Sequence, residues 1–210
     1  MGLVQASGVT HRFRVALAMR YYILIHGRCT IKYFFDTEFI EDGKTIDLIS
    51  IGIVAEDGRE LYAESLDVDL SKANEWVKEN VIAHLWSQQA DKRDANIWSR
   101  DVGVGGLLSR KNIAAEVKAF CDPDTYGKPE IWAYFADYDW VVLCQLFGTM
   151  MDLPKGWPMY CRDIKQWADM LGNPKLPEQG KGEHHAIADA RWNRQAWKFL
   201  DSMSKVQAPA

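Results

Sequence analysis

The sequence predicts an α/β fold, a sheet opened by antiparallel strands and flanked by helices. Three observations carry that expectation. Three runs rich in β-branched and aromatic residues follow one another with only short turns between them. A further run of that kind, Glu130–Phe135, stands late in the chain among helical segments. The chain then closes on His185–Met203, where Ala186, Ile187, Ala190, Trp197 and Leu200 recur at helical spacing. Strands first, then helices around a late strand, is the order of a mixed sheet with helices packed on it.

Taken in order, Ile31–Phe35 is apolar apart from Lys32 and reads as a buried strand. Glu41–Lys44 is a turn. Ile46–Ala55 is the second strand, and Asp57-Gly58 folds it back as a hairpin into Glu60–Ser65. Ser71 caps a predicted helix over Lys72–Asn80. Gly103–Gly106 reads as loop. Ser109 caps a helix that runs to Cys121, and the stretch from Pro123 to Pro129 breaks the chain before the strand Glu130–Phe135. Trp140–Phe147 is helical, Pro154–Pro158 is loop, Asp163–Leu171 is a short helix and Pro174–Gly182 is loop.

The chain has 210 residues, of which 48% are hydrophobic and 26% charged, a balance that excludes a disordered polymer. A domain of this size buries about 70% of its unfolded surface, enough for a core without disulfides or a structural metal. Acids outnumber bases 29 to 25, which argues against a protein that coats nucleic acid through many phosphate contacts. The four cysteines are widely spaced with no C-x-x-C pair, so free thiols in the reducing cytoplasm are expected rather than a disulfide framework or a zinc knuckle. No long unbroken apolar run suggests a membrane span. Residues 1–30 differ from the rest. They hold four arginines and no acid, and read as an expression scar or misplaced translation start, with a transit segment or docking arm as the alternative.

Three places carry candidate chemistry. Asp36 and Glu38 are two apart on a strand, so they share a face directly after the apolar Tyr33–Phe35. Two carboxylates crowded at the end of a core strand repel each other and lose solvation, which a hard divalent cation offsets. The alternative is a strand running out into solvent. Asp139 stands where a strand gives way to a helix, and it or Asp137 serves either a site or a helix cap. Asp189 lies between Ala188 and Ala190 inside the last helix, where small neighbours allow close approach to a sheet, or else it is a surface acid paired with Arg191 or Arg194. Gly43-Lys44-Thr45 lacks the leading glycine of a phosphate-binding loop, since Glu38 stands in its place, and neither G-x-S-x-G nor H-E-x-x-H occurs. Most of the nine tryptophans are expected in the core.

Together these motifs resemble the DEDDh 3′–5′ exonuclease family: Asp-x-Glu on a first strand, an Asp after a middle strand, and His184 five residues before Asp189 near the last helix. The resemblance spans residues 31 to about 200. Through residues 35–43, 48–60, Tyr138-Asp139, 143–146 and Asp189–Arg191 it is nearest to the polyadenylate-specific 3′-exoribonucleases. It implies a ribonuclease-H-like fold over residues 31–205, with 206–210 as a tail. It implies that Asp36, Glu38, Asp139 and Asp189 hold two divalent cations, Mg²⁺ or Mn²⁺, about 3.5–4 Å apart, and that His184 is the general base for water attack on the terminal phosphodiester. It further implies a homodimer acting on single-stranded RNA 3′ ends, adenylate-rich by preference, and releasing 5′-nucleotides.

Two departures stand out. His185 follows His184, and pure helix geometry would put His185, not His184, on the face of Asp189. Phe135 occupies the position where many members carry Asn, four residues before the middle Asp. Phe39 is either a packing surface for the terminal base or core, and the Thr37 backbone is a candidate contact for the sugar. A DNA exonuclease, a degrader of short RNA and a catalytically silent nucleic-acid-binding module are the competing readings.

Overall fold

The structure, a computed structural model, describes residues 30–89, 103–180 and 182–207. The leader up to residue 29 and the tail from residue 208 lie outside the described residues.

Six strands form one sheet: β1 (Thr30–Glu41), β2 (Ile46–Ala55), β3 (Glu60–Ser65), β4 (Gly103–Leu108), β5 (Lys128–Ala133) and β6 (Arg162–Asp163). Their spatial order is β4-β3-β2-β1-β5-β6. β1, β2 and β3 pair antiparallel, whereas β4 on β3, β5 on β1 and β6 on β5 are parallel. The helices are α1 (Glu75–Asn80), α2 (Arg110–Phe120), α3 (Pro123–Tyr126), α4 (Asp137–Gln145), α5 (Ile164–Met170) and α6 (Ala186–Gln207). This is the mixed α/β sheet flanked by helices that the sequence predicts.

Alternation along β1 divides the core. Tyr33 and Phe35 face a cluster with Ile113 and Val117 of α2 and Val142 and Leu143 of α4. Phe34 faces the other side, where Ile164 and Ala168 of α5 meet Ala196 and Leu200 of α6. Both faces of the strand are thus covered, which is why its first residues are almost continuously apolar. Among the described residues no helix is long and apolar enough to cross a membrane.

Three expectations are corrected. Gly103–Gly106 is not loop but part of β4, at the sheet edge beside β3. Gly105 is a packing requirement: a Cβ there would stand 1.6 Å from the Tyr62 carbonyl oxygen, and its φ of +135° is one that other residues rarely adopt. Ser71 does not cap a helix. It lies in a 3-10 turn capped by Asp69, and Asn74 caps the shorter α1 by accepting from the Val77 N–H. The helix expected from Trp140 begins at Asp137, without a side-chain cap, so neither Asp137 nor Asp139 is its N-cap. Ser109 does cap α2, accepting from the Asn112 N–H.

Candidate active site

The site lies where β1 outruns β5. Their parallel pairing covers Thr30–Phe34 of β1, so beyond Phe34 the edge of β1 is open. Crevices at the carboxyl ends of parallel strands are a recurrent place for ligands in α/β sheets. On the face of β1 turned toward α6, Phe34 is followed by Asp36 and Glu38. A register shift between Glu38 and Phe39, after which pairing with β2 resumes as far as Glu41, is the kind of bulge that re-aims side chains.

Gly52 sits opposite Asp36 on β2. A Cβ there would stand 2.3 Å from the Ala186 carbonyl oxygen, so α6 begins directly against the sheet backbone. Ala186 and Ala190, both buried, keep that approach close. Asp189, within the first turn of α6, is thereby carried to β1: one carboxylate oxygen each of Asp36, Glu38 and Asp189 lies within 4.8 Å of the others. Asn193, four residues further on the same helical face, donates its amide to the Phe35 carbonyl at 2.9 Å and pins α6 beside Asp36.

Asp139 arrives from the vacated edge. It stands in the first turn of α4, buried, and its Oδ1 accepts from the Thr37 N–H at 2.8 Å and the Thr37 hydroxyl at 2.5 Å. The start of α4 is itself tied down, because Asp163 accepts from the Ala136 N–H at 2.7 Å and from the Gln166 N–H at 2.8 Å.

The four acids disturb one another. Asp36 is pushed well above the ordinary carboxylate range, first by burial and then by Asp139, Glu38 and Asp189. Glu38 is pushed up to about 8 by burial, Asp189 and Asp139. Asp139 is raised by burial, against the opposing hydrogen bonds from Thr37. Asp189 is raised by burial, opposed by the backbone N–H of His184, the Gln179 amide and the backbone N–H of His185. Among the described residues none of the four is ion-paired with Lys or Arg. Repelling, half-desolvated oxygens without a counter-charge are the donor set that a hard divalent cation takes, so these residues fit such an ion.

The adjacent histidines have different surroundings. His184 is exposed, has a φ of +64°, and sets its ring against Trp76 edge-on at 4.8 Å. His185 stacks on Tyr62 at 4.7 Å and contacts Trp86 at 5.6 Å. Glu64, itself buried, secures those two aromatics by accepting from the Tyr62 hydroxyl at 2.7 Å and the Trp86 N–H at 2.7 Å. The expectation that His185 shares a helical face with Asp189 fails because α6 starts only at Ala186. The His185 carbonyl instead accepts the first helical N–H groups, from Ala188 and Asp189. A cavity of about 330 Å³ opens beside this corner, lined by His84, Trp86, His185 and Arg191 among others and by none of the four acids.

Thr37 is buried, and its N–H and hydroxyl are both turned to Asp139 rather than toward a sugar. Phe39 is partly buried against the core and stacks on the half-exposed Tyr138, centroids 5.9 Å apart and planes at 15°. Sequence reasoning did not single out Gln179, Asn193, Asp163 or Trp76. Only Asn193 had a readable signal, its spacing of four from Asp189.

The family model of the Rv2179c-like 3′-5′ exoribonuclease domain matches residues 31–200. Two relatives from Mycobacterium tuberculosis are each 38% identical over 172 residues, covering 82% of this chain and 94% of their own length. They are the 3′-5′ exoribonuclease Rv2179c of strain H37Rv and the 3′-5′ exoribonuclease MT2234.1 of strain CDC 1551. Among solved structures, the Neurospora crassa Pan2 catalytic unit (protease and nuclease domain) is 13% identical, covering 85% of this chain and 30% of that one. Its TM-score of 0.41 is too low to bear on the site.

Proposed function

The chain belongs to the Rv2179c-like 3′-5′ exoribonuclease domain family, and on that premise we propose that it removes 5′-nucleotides from RNA 3′ ends by cation-dependent hydrolysis at Asp36, Glu38, Asp139 and Asp189. The observation that supports this most is the convergence of Asp36, Glu38 and Asp189 within 4.8 Å, from positions far apart in the sequence. That four-acid set, with His184, is the DEDDh constellation, and two Mg²⁺ ions, replaceable by Mn²⁺, are its proposed complement.

Divalent cations at such a site supply charge that stabilises the leaving oxygen and lower the pKa of water. The chain's own part is orientation. Thr37 holds one oxygen of Asp139, and Asn193 and Gly52 together fix how close Asp189 comes to Asp36. His184, exposed, five residues before Asp189 and with its backbone N–H turned to the Asp189 carboxylate, is the proposed base that takes the proton of the attacking water on a ring nitrogen. The stacked Phe39 and Tyr138 offer an aromatic surface for the terminal base, the usual means of reading single-stranded RNA. An adenylate preference, a homodimer and a cytoplasmic setting complete the proposal. The first two rest on the sequence resemblance. The last is supported by Cys121, Cys144 and Cys161, the cysteines among the described residues, which are free thiols.

The test is incubation of the purified chain with A, C, G and U homopolymers of RNA and of DNA in Mg²⁺, with products resolved by length. Fastest loss of single nucleotides from the 3′ end of the adenylate RNA is expected. Equal rates on all RNAs would remove the base preference, faster DNA cleavage would remove the RNA assignment, and no cleavage in any divalent metal would remove the enzymatic reading. Sedimentation of the same sample decides the dimer.

A further inference from the structure

Gln179 touches the acid cluster without belonging to it. It lies between α5 and α6, in residues 173–180, which have no regular secondary structure. That segment is nonetheless fastened along α6. Leu176 packs into the cluster with Trp132 and Leu200. The indole N–H of Trp192 donates to the Pro177 carbonyl at 3.0 Å. The Gln179 side-chain amide then donates to Oδ1 of Asp189. At the far end Gly182 lies so close that a Cβ would meet the Ala188 Cβ at 3.3 Å. Asp189 and Trp192 are three apart, on one face of the helix, so the loop runs along that face and Gln179 is delivered to a fixed place.

The chemistry of the contact has one sense. An ionised carboxylate only accepts hydrogen bonds, so the amide nitrogen must face it. A donor held on one oxygen fixes the rotation of the carboxylate and leaves the other oxygen turned elsewhere. Outer partners of that kind around metal ligands are worth about 10–100-fold in metal affinity.

We propose that Gln179 is a positioning residue for cation binding, fixing Asp189 so that its second oxygen faces Asp36 and Glu38. The inference rests on the cation reading given above. It assigns a role to a loop residue outside the four acids and the histidine.

The experiment is a titration of the purified full chain with Mn²⁺, following free Mn²⁺ by electron paramagnetic resonance, for the parent and for Gln179→Leu, Gln179→Asn and Asp189→Asn. Leucine is close in size but donates nothing, and asparagine keeps the amide on a shorter stem. Both are expected to bind Mn²⁺ about tenfold more weakly. Cleavage should fall at limiting Mg²⁺ and return to near the parental rate at saturating Mg²⁺, while the melting temperature stays close to the parental one. A purely structural role would lower the melting temperature and would not be rescued by metal. Should the leucine chain fail to fold, the asparagine chain reads the same quantity. Unchanged Mn²⁺ affinity in the Gln179 variants, with binding lost in Asp189→Asn, would overturn the role of Gln179 and leave the cation site standing. No Mn²⁺ uptake by the parent would overturn both.

Discussion

Asp36 and Glu38 stand on a strand whose preceding residues are core, and their cost to the fold without a cation is direct. Both are held above the ordinary carboxylate range by burial and by each other's neighbours. Asp36→Asn or Asp189→Asn is therefore expected to abolish cleavage and, with metal chelated at pH 8, to raise the melting temperature above the parental one. A fall in melting temperature together with normal turnover would count against both the chemistry and the repulsion. The histidines separate in a similar way. His184→Ala removes an exposed ring and should reduce cleavage at least a hundredfold with little loss of stability, the range of a lost general base. His185→Ala removes a ring stacked on Tyr62 and in contact with Trp86 and should cost about 1–3 kcal/mol in denaturant unfolding. Equal stability losses would mean that the two rings share one environment. Phe135 carries a φ of +53°, a conformation in which Asn is far more common than an aromatic. Phe135→Asn is therefore expected to raise the melting temperature.

Among the elements, the contact of α6 with the sheet at Gly52 does most to place the site. A methyl group there meets backbone at 2.3 Å, and no side-chain rearrangement relieves it. Gly52→Ala should cost about 3 kcal/mol or more and lower cleavage even where the chain still folds. Parental activity in a folded Gly52→Ala chain would show that Asp189 does not need this approach. The elements legible in the sequence were those with strong local signals. β2 and β3 fall where their strand-forming runs and the Asp57-Gly58 turn put them, and Ser109 starts α2. What escaped notice depends on partners distant in sequence. Gly105 stands in β4 because the Tyr62 backbone lies against it, and β6 is a two-residue pairing with β5 that no propensity could signal. For the site, the acids stood out by residue type and by the order of their motifs. The contacts of Thr37 with Asp139 and of Gln179 with Asp189 did not, because neither has a spacing signature. The aromatic cradle of His185, built from Tyr62, Trp86 and the buried Glu64, was likewise invisible before the chain was folded.

For the molecule as a whole, the cluster links stability to pH and to metal. All four acids titrate higher in the folded chain than their ordinary values near 4, with Glu38 reaching about 8. Over that window the folded chain binds more protons than the unfolded one, so stability falls as pH rises. The exposed caps Asp42, Asp69 and Asp152, held low by hydrogen bonds from neighbouring N–H and hydroxyl groups, act only below the ordinary carboxylate range, where their contribution is lost as pH falls. In chelator the melting temperature should be higher at pH 5 than at pH 8, and Mg²⁺ should raise it more at pH 8 than at pH 5. The opposite order would mean that the acids are not crowded together. Both effects follow from one arrangement, which anomalous diffraction from crystals soaked in Mn²⁺ tests most directly. Manganese is expected in contact with Asp36, Glu38 and Asp189, with Asp139 alongside. Manganese bound elsewhere, or those side chains found apart, would contradict that arrangement.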